Sequence, residues 1–310
     1  MNSIRESLFA VAAIALVVLL LVPERADAQR RRRRGQTSDQ AADDGPRPTV
    51  RDVDRIAEQL SSSDTDQVRE AIDLLSVIDH PSVIPHLAEL LRSGRSDEVT
   101  DRALQALRGL AHPSAIDILT EFTHHRRARA RRLAYQALAA IDDRRVPDLV
   151  EHGLSDSDRS VRSTCARALG EMGARGSVDT LFVAFDRGVV EAAIAIGKLG
   201  NRASVARFTE HLGEAPLSVM LSGYSEYVRR DDIPDAVKLD IIGRLGEISG
   251  PMVRVFLQRY LDTFGTGRAA QRDRVRQSVV ETLRRIPGHA GSARGRTVSS
   301  DSAEAAGDDE

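Results

Sequence analysis

Tryptophan is missing from all 310 residues, cysteine occurs once, and lysine appears only as Lys198 and Lys238. A lone Cys165 can form neither an intramolecular disulfide nor a paired-cysteine metal knuckle. Packing alone must then hold the fold, and a chain of this length can supply it. Aromatic residues make up 4% of the sequence. Small side chains must fill the core, and few rings are available to stack on bases. With 44 basic and 46 acidic side chains the formal net charge is −2, which gives no bulk attraction toward polyanions. The basic residues are almost all arginine, as expected of a GC-rich genome, so an arginine cluster is not by itself a sign of function. A glycine-rich phosphate loop, a Gly-x-Ser-x-Gly elbow, paired cysteines and a His-Glu-x-x-His helix are all absent.

What is present is a phrase that returns about every thirty residues. It runs from Leu75 through His80-Pro81-Ser82 to Leu87, and from Leu107 through His112-Pro113-Ser114 to Leu119. It returns from Leu169 to Leu181 and from Ile196 to Phe208. Self-similarity at this period signals a stacked repeat. Apolar residues recur at helical spacing between turn signals. The pattern predicts helices over Val50–Leu60 and Gln67–Ile78, one from Ser82 to about Arg92, and another starting at Ser96-Asp97. Pro81 stops the helix before it, and Ser82 and the Ser155–Asp158 run are predicted caps. One anchor per unit falls at Leu75, Leu107, Leu138, Leu169, Ile196, Leu245 and Leu283, with Ala71, Ala103, Ala134, Ala166 and Ala193 allowing close helix approach. The expectation is an all-α chain, an α-solenoid of about seven to eight helical hairpins over residues 49–287. The gap of 49 between Ile196 and Leu245 breaks the period, and Pro216–Arg230 is expected to be an inserted helix.

The ends differ from this pattern. Arg5, the apolar run Leu8–Val22 and Ala26-Asp27-Ala28 have the layout of a secretory signal peptide over residues 1–28. The run is short for a spanning helix, and no cysteine follows it to carry lipid. Export to the periplasm or cell envelope is therefore expected. The five arginines Arg30–Arg34 argue for the alternative, an uncleaved anchor over residues 8–22 with the solenoid facing the cytoplasm. Residues 29–48, and residues 288–310 ending Asp308-Asp309-Glu310, have the composition of disordered segments.

The run Asp156-Ser-Asp-Arg-Ser-Val161-Arg162 through Leu169-Gly170-Glu-Met172-Gly173 closely resembles the bacterial HEAT-like repeat, the type also found in phycobilisome lyases. Ile196-Gly197-Lys-Leu199-Gly200 and Leu245-Gly246-Glu-Ile248 resemble the same signature. The resemblance spans roughly Val50–Ile286 and implies a right-handed solenoid used for protein binding, without transferring an activity. HEAT-repeat hydroxylases hold two irons with His-Glu pairs, whereas here Glu151-His152 and Glu210-His211 stand in the reverse order. HEAT-like glycosylases rely on aromatics that include tryptophan, absent here.

The expected function is that of a non-catalytic scaffold holding a protein partner on the second helices, which would line a concave face. No cofactor or metal is expected. His80 and His112 recur too far apart to share an ion, and His124, His125 and His152 form a weak set. The candidate contact residues are Tyr224 and Tyr227, which share a helix face, and the basic segment Arg126, Arg127, Arg129, Arg131 and Arg132. That segment has a plain structural alternative, in which Arg131 and Arg162 pair with aspartates of neighbouring repeats. Two other functions stay open: an accessory or lyase-like role in which the solenoid cradles a substrate protein, and binding of nucleic acid or an anionic surface through the arginines.

Overall fold

The computed structural model describes residues 48–263 and 273–286. The expected signal peptide over residues 1–28, the lead-in through residue 47, the Arg30–Arg34 block and the tail at 288–310 lie outside them. The described residues form 15 α-helices and no strand. They follow as hairpins: α1 (Val53–Ala57) with α2 (Thr65–Ser76), α3 (Val83–Arg92) with α4 (Asp97–Leu110), and α5 (Ile116–Phe122) with α6 (Ala128–Leu138). Next come α7 (Val146–His152) with α8 (Arg159–Met172), α9 (Val178–Asp186) with α10 (Ala192–Leu199), and α11 (Arg202–Glu210) with α12 (Leu217–Arg229). Three more helices follow, α13 (Asp235–Ile248), α14 (Pro251–Thr263) and α15 (Arg274–Arg285). Among the described residues no helix is long and apolar enough to cross a membrane.

The second helices α2, α4, α6, α8, α10 and α12 pack each on the next. The predicted alanine column makes this possible: Ala71, Ala103, Ala134, Ala166 and Ala193 are completely buried. The anchors from Leu75 to Ile196, together with Leu245, are buried as completely, and Leu283 is half-buried. A larger side chain in the column would overpack a contact already at van der Waals distance. Backbones come very close at Gly197 of α10, where a Cβ would lie 2.3 Å from the Gly223 carbonyl oxygen of α12.

Local signals fix where each helix starts. The Asp64 carboxylate accepts the Asp66 N–H at 2.9 Å, the Ser96 hydroxyl accepts the Val99 N–H at 3.4 Å, and Asp158 accepts the N–H groups of Ser160 and Val161. Ser82 departs from expectation, because its side chain caps no helix. Nδ1 of His80 instead accepts the Ser82 N–H at 3.2 Å, and Nδ1 of His112 does the same for Ser114. The recurring histidines are turn-fastening groups.

After α12 the stacking changes phase. The expected insertion at Pro216–Arg230 is not an insertion: Phe208 of α11 packs on Tyr224 and Tyr227 of α12 as a further hairpin, and α12 packs on α10. The true irregularity comes next, where α13 follows directly and packs on α15, with α14 also against α15.

Two equivalent helix ends supply a test. Four residues past the anchor, α4 ends at Ala111 with φ 48° and α8 at Gly173 with φ 72°, both left-handed. Alanine pays a steric penalty there that glycine avoids. Ala111→Gly is expected to raise unfolding stability by about 1 kcal/mol and Gly173→Ala to lower it by a similar amount. Urea unfolding of both variants measures this; a loss of stability in both would remove the equivalence of the two ends.

Candidate binding grooves between the repeats

The basic segment leads into α6 and along it, and most of it is already paired. Arg127 sits 2.9 Å from Asp97 and 2.8 Å from Asp101, and Arg129 also pairs with Asp101. Arg131 holds both carboxylate oxygens of Asp156 at 2.7 Å. Arg132 is half-buried, with an Nε that has no hydrogen-bond partner, and Arg126 is exposed with no ion pair among the described residues. The segment therefore is not the open cationic patch considered from sequence: three of its five guanidiniums join α6 to the repeats on either side. Burial alone would raise the Asp156 pKa, yet the Arg131 fork and the Asp158 N–H hold it below the ordinary value.

Arginine has a second structural use here. One guanidinium spans two main-chain carbonyls at Arg95 (Leu60, Ser62), Arg131 (His125, Arg126), Arg162 (Asp156, Ser157), Arg230 (Gly197, Gly200) and Arg254 (Leu283, Ile286). At Arg95 the two Nη atoms donate to one carbonyl each, and at the other four a single Nη1 donates to both, satisfying carbonyls near helix ends. Arg162 thus bonds carbonyls rather than the carboxylate expected for it. The spacing carried this signal, since Arg131 and Arg162 both stand seven residues before their anchors.

Tyr224 and Tyr227, expected as exposed contact residues, are 1% and 0% exposed. They build the core of the α11–α12 hairpin. Phe208 meets Tyr224 edge-on at 5.3 Å, Tyr227 at 6.1 Å and Phe185 at 5.6 Å. The Tyr224 hydroxyl lies 3.1 Å from Thr209 Oγ1, and burial pushes both phenols' pKa values up. The cause lies in α10, whose Ala192, Ala193, Ala195 and Gly197 leave volume that rings from the next hairpin fill. These tyrosines cannot face a partner without opening that core. Cys165 is likewise fully buried, and burial pushes its thiol pKa up, away from thiolate chemistry.

Open space lies instead alongside the first helices. Grooves run between α3 and α5 (about 520 Å³), α5 and α7 (about 670 Å³), α9 and α11 (about 580 Å³), and α11 and α13 (about 450 Å³). His124 and His152 both line the α5–α7 groove with Glu121 and Asp148. Among the described residues, though, no group of three His, Cys, Asp or Glu side chains is placed to hold a metal. His125 stacks on Phe122 at 5.4 Å, and its Nδ1 accepts the Arg127 N–H. Desolvation, helped by the charges of Arg127 and Arg126, lowers its pKa.

Residues 84–164 and 116–190 match the family model of HEAT repeats. No curated protein matches the sequence. Among solved structures, the fold is similar to a chain in a homology model of the full-length AP-3 complex in an intermediate open conformation. That similarity is at 14% identity and TM-score 0.51, covering 76% of this chain and 51% of that one. The protein thus spans about half the length of the chain it matches there. The complex of CpcE and CpcF of phycocyanin lyase from Nostoc sp. PCC7120 is similar at 15% identity and TM-score 0.43, over 81% of this chain and 100% of that one. Human deoxyhypusine hydroxylase in complex with glycerol is similar at 17% identity and TM-score 0.38, over 76% and 96%. At these identities the likeness concerns the fold.

The paired arginines differ in burial, which sets their worth. Arg131 and Asp156 have side chains 14% and 9% exposed, whereas Arg129 is 59% exposed. Arg131→Ala strands a buried carboxylate and is expected to cost about 3 kcal/mol, and Arg129→Ala less than about 1 kcal/mol. The Asp156 pKa is depressed, so the pair's contribution is present above the ordinary value of 3.8 and fades as pH falls below it. Urea unfolding at pH 7 and pH 3 measures both. Equal costs for the two variants at pH 7 would contradict this ranking.

Proposed function

Starting from a chain whose residues 84–190 are HEAT repeats, we propose that the protein is a non-catalytic scaffold that binds a partner protein in the grooves alongside its first helices. HEAT-repeat solenoids commonly serve as interaction scaffolds. The observation that carries the reading is the open volume left beside the first helices. The second helices spend their small residues and many of their charges on one another. Arg102 bonds Asp73 at 2.7 Å, Arg69 pairs with Glu98, and Arg127 pairs with Asp97 and Asp101. Four grooves of about 450 to 670 Å³ lie along the first helices. Ion pairs cross the first-helix layer too, as in Arg92–Glu121 and Arg207–Asp179, so open volume and not unsatisfied charge favours it: a groove can still bury a partner's surface.

The binding face is therefore the opposite of the concave second-helix surface expected from sequence. The experiment places a photoreactive residue at Ala203 or Asp148, in two of the grooves, and at Gln105 on the second-helix face. Discrete protein adducts in cells are expected from the groove positions and none from Gln105. Adducts from Gln105 alone would move the site to the second helices. No adduct anywhere, together with a purified protein that carries a chromophore or metal, would overturn the scaffold reading.

The proposal extends to location: export to the cell envelope, supported by the apolar run Leu8–Val22 and the small residues Ala26-Asp27-Ala28. N-terminal sequencing of the protein from fractionated cells is expected to find a soluble envelope species starting at or near Gln29. An intact membrane-bound species with a protease-shielded solenoid would replace export by an inward-facing anchor.

A further inference from the structure

The four grooves differ in charge, and one stands apart. Between α9 and α11 the walls carry Arg175, Arg202, Arg207 and Arg230 against Asp179 and Asp232, four positive charges to two negative. The α11–α13 groove shares Arg202 and sets it with Arg244 against Glu210 and Asp240, and the α5–α7 groove sets Arg145 against three carboxylates. The surplus in the α9–α11 groove is also arranged. The Arg230 guanidinium is fixed by the Gly197 and Gly200 carbonyls, at 3.0 and 2.6 Å, and by Asp232 at 2.7 Å. Arg207 lies 4.0 Å above the Phe182 ring while bonding Asp179, and Arg175 reaches Asp232 at 3.2 Å. Of these four arginines only Arg202 has no ion pair among the described residues, and it is exposed at the first position of α11.

That position is electrostatically wrong for arginine. A helix N-terminus favours negative charge, and the first turn of α11 holds no acidic residue to offset Arg202. A local rule broken without internal compensation suggests a function supplied from outside. The groove floor is apolar, formed by Val178, Leu199 and Ile233.

We propose that the α9–α11 groove binds an acidic, extended segment of a partner protein, with carboxylates on Arg202 and Arg175 and an apolar side chain on the floor between them. This rests on the scaffold reading above and names the chemistry of one of its grooves. A nucleic acid fits less well, because phosphates continue along a strand, and the next groove carries Glu210 and Asp240. Phe182, the one ring here, is already covered by Arg207.

The test is fluorescence anisotropy of the purified full chain with a fluorescein-labelled peptide alternating Glu or Asp with Leu, at low and moderate salt. Arg202→Glu is expected to weaken binding about tenfold or more. Arg108→Glu, an equal charge change on exposed α4 surface, should leave binding unaltered. Arg202→Glu also places an acid at the start of α11, so its melting temperature should hold or rise, which separates lost binding from lost fold. Equal effects of the two substitutions would overturn the proposal, as would tighter binding of a 20-nucleotide oligothymidine than of the peptide. Neutralising Asp308, Asp309 and Glu310 should leave peptide affinity unchanged; a tenfold gain would instead identify the chain's own acidic segment as the occupant. If photocrosslinking fails at Ala203 but succeeds at Asp148, this groove is wrong and the scaffold reading stands.

Discussion

The structure depends on how near one second helix can come to the next. Alanine at 71, 103, 134, 166 and 193, fully buried in each case, sets that distance. It explains the shortage of aromatics, since a ring at any of these positions would hold the helices apart. The same approach brings arginine and aspartate 25 to 30 residues apart in sequence within ion-pair reach, as in Arg131–Asp156 and Arg127–Asp97. Charge pairing across repeats is thus a consequence of small-residue packing. The pairs fix register between units, and the buried one carries most of their energetic weight.

Where the small residues become extreme, the rest of the fold responds. Helix α10 is nearly all alanine, glycine and isoleucine, and Phe208, Tyr224 and Tyr227 from the next hairpin fill the space beside it. Beyond this aromatic plug the stacking passes from α12 to the α13–α15 set. Helix α11 is then left with a groove on each side, at the one place in the first layer where an unpaired arginine opens a helix. The aromatic cluster, the change of phase and the charged groove all lie within one stretch of chain.

The sequence made the architecture legible because its signals were local and periodic. The alanine column, the anchors and the His-Pro-Ser turns each occupied the same place in successive units, and each is found buried or hydrogen-bonded there. The α11–α12 hairpin was missed because its packing residues are rings and Gly223 instead of an aliphatic anchor, so the gap of 49 read as an insertion. Tyr224 and Tyr227 misled for a related reason: a spacing of three puts two side chains on one helix face without saying which way that face points. The grooves could not be read at all, since they arise alongside first helices that are neighbours in space and not in sequence.

Arginine shows what composition can and cannot convey. A chain with two lysines invites the view that its arginines record base composition alone. Yet five of them bridge pairs of main-chain carbonyls, and several tie repeat to repeat, Arg131 through both oxygens of Asp156. Whatever supplied the residue, the fold finds structural uses for it. In such a background, density of arginine carries little information and satisfaction carries a great deal. Arg126–Arg132 is the densest cluster within the fold, and three of its five members are paired. Arg202 is isolated, yet it faces solvent beside other guanidiniums with no carboxylate of its own. Within a groove, an arginine that the fold leaves unpaired is a better guide than a dense run to where this surface meets something else.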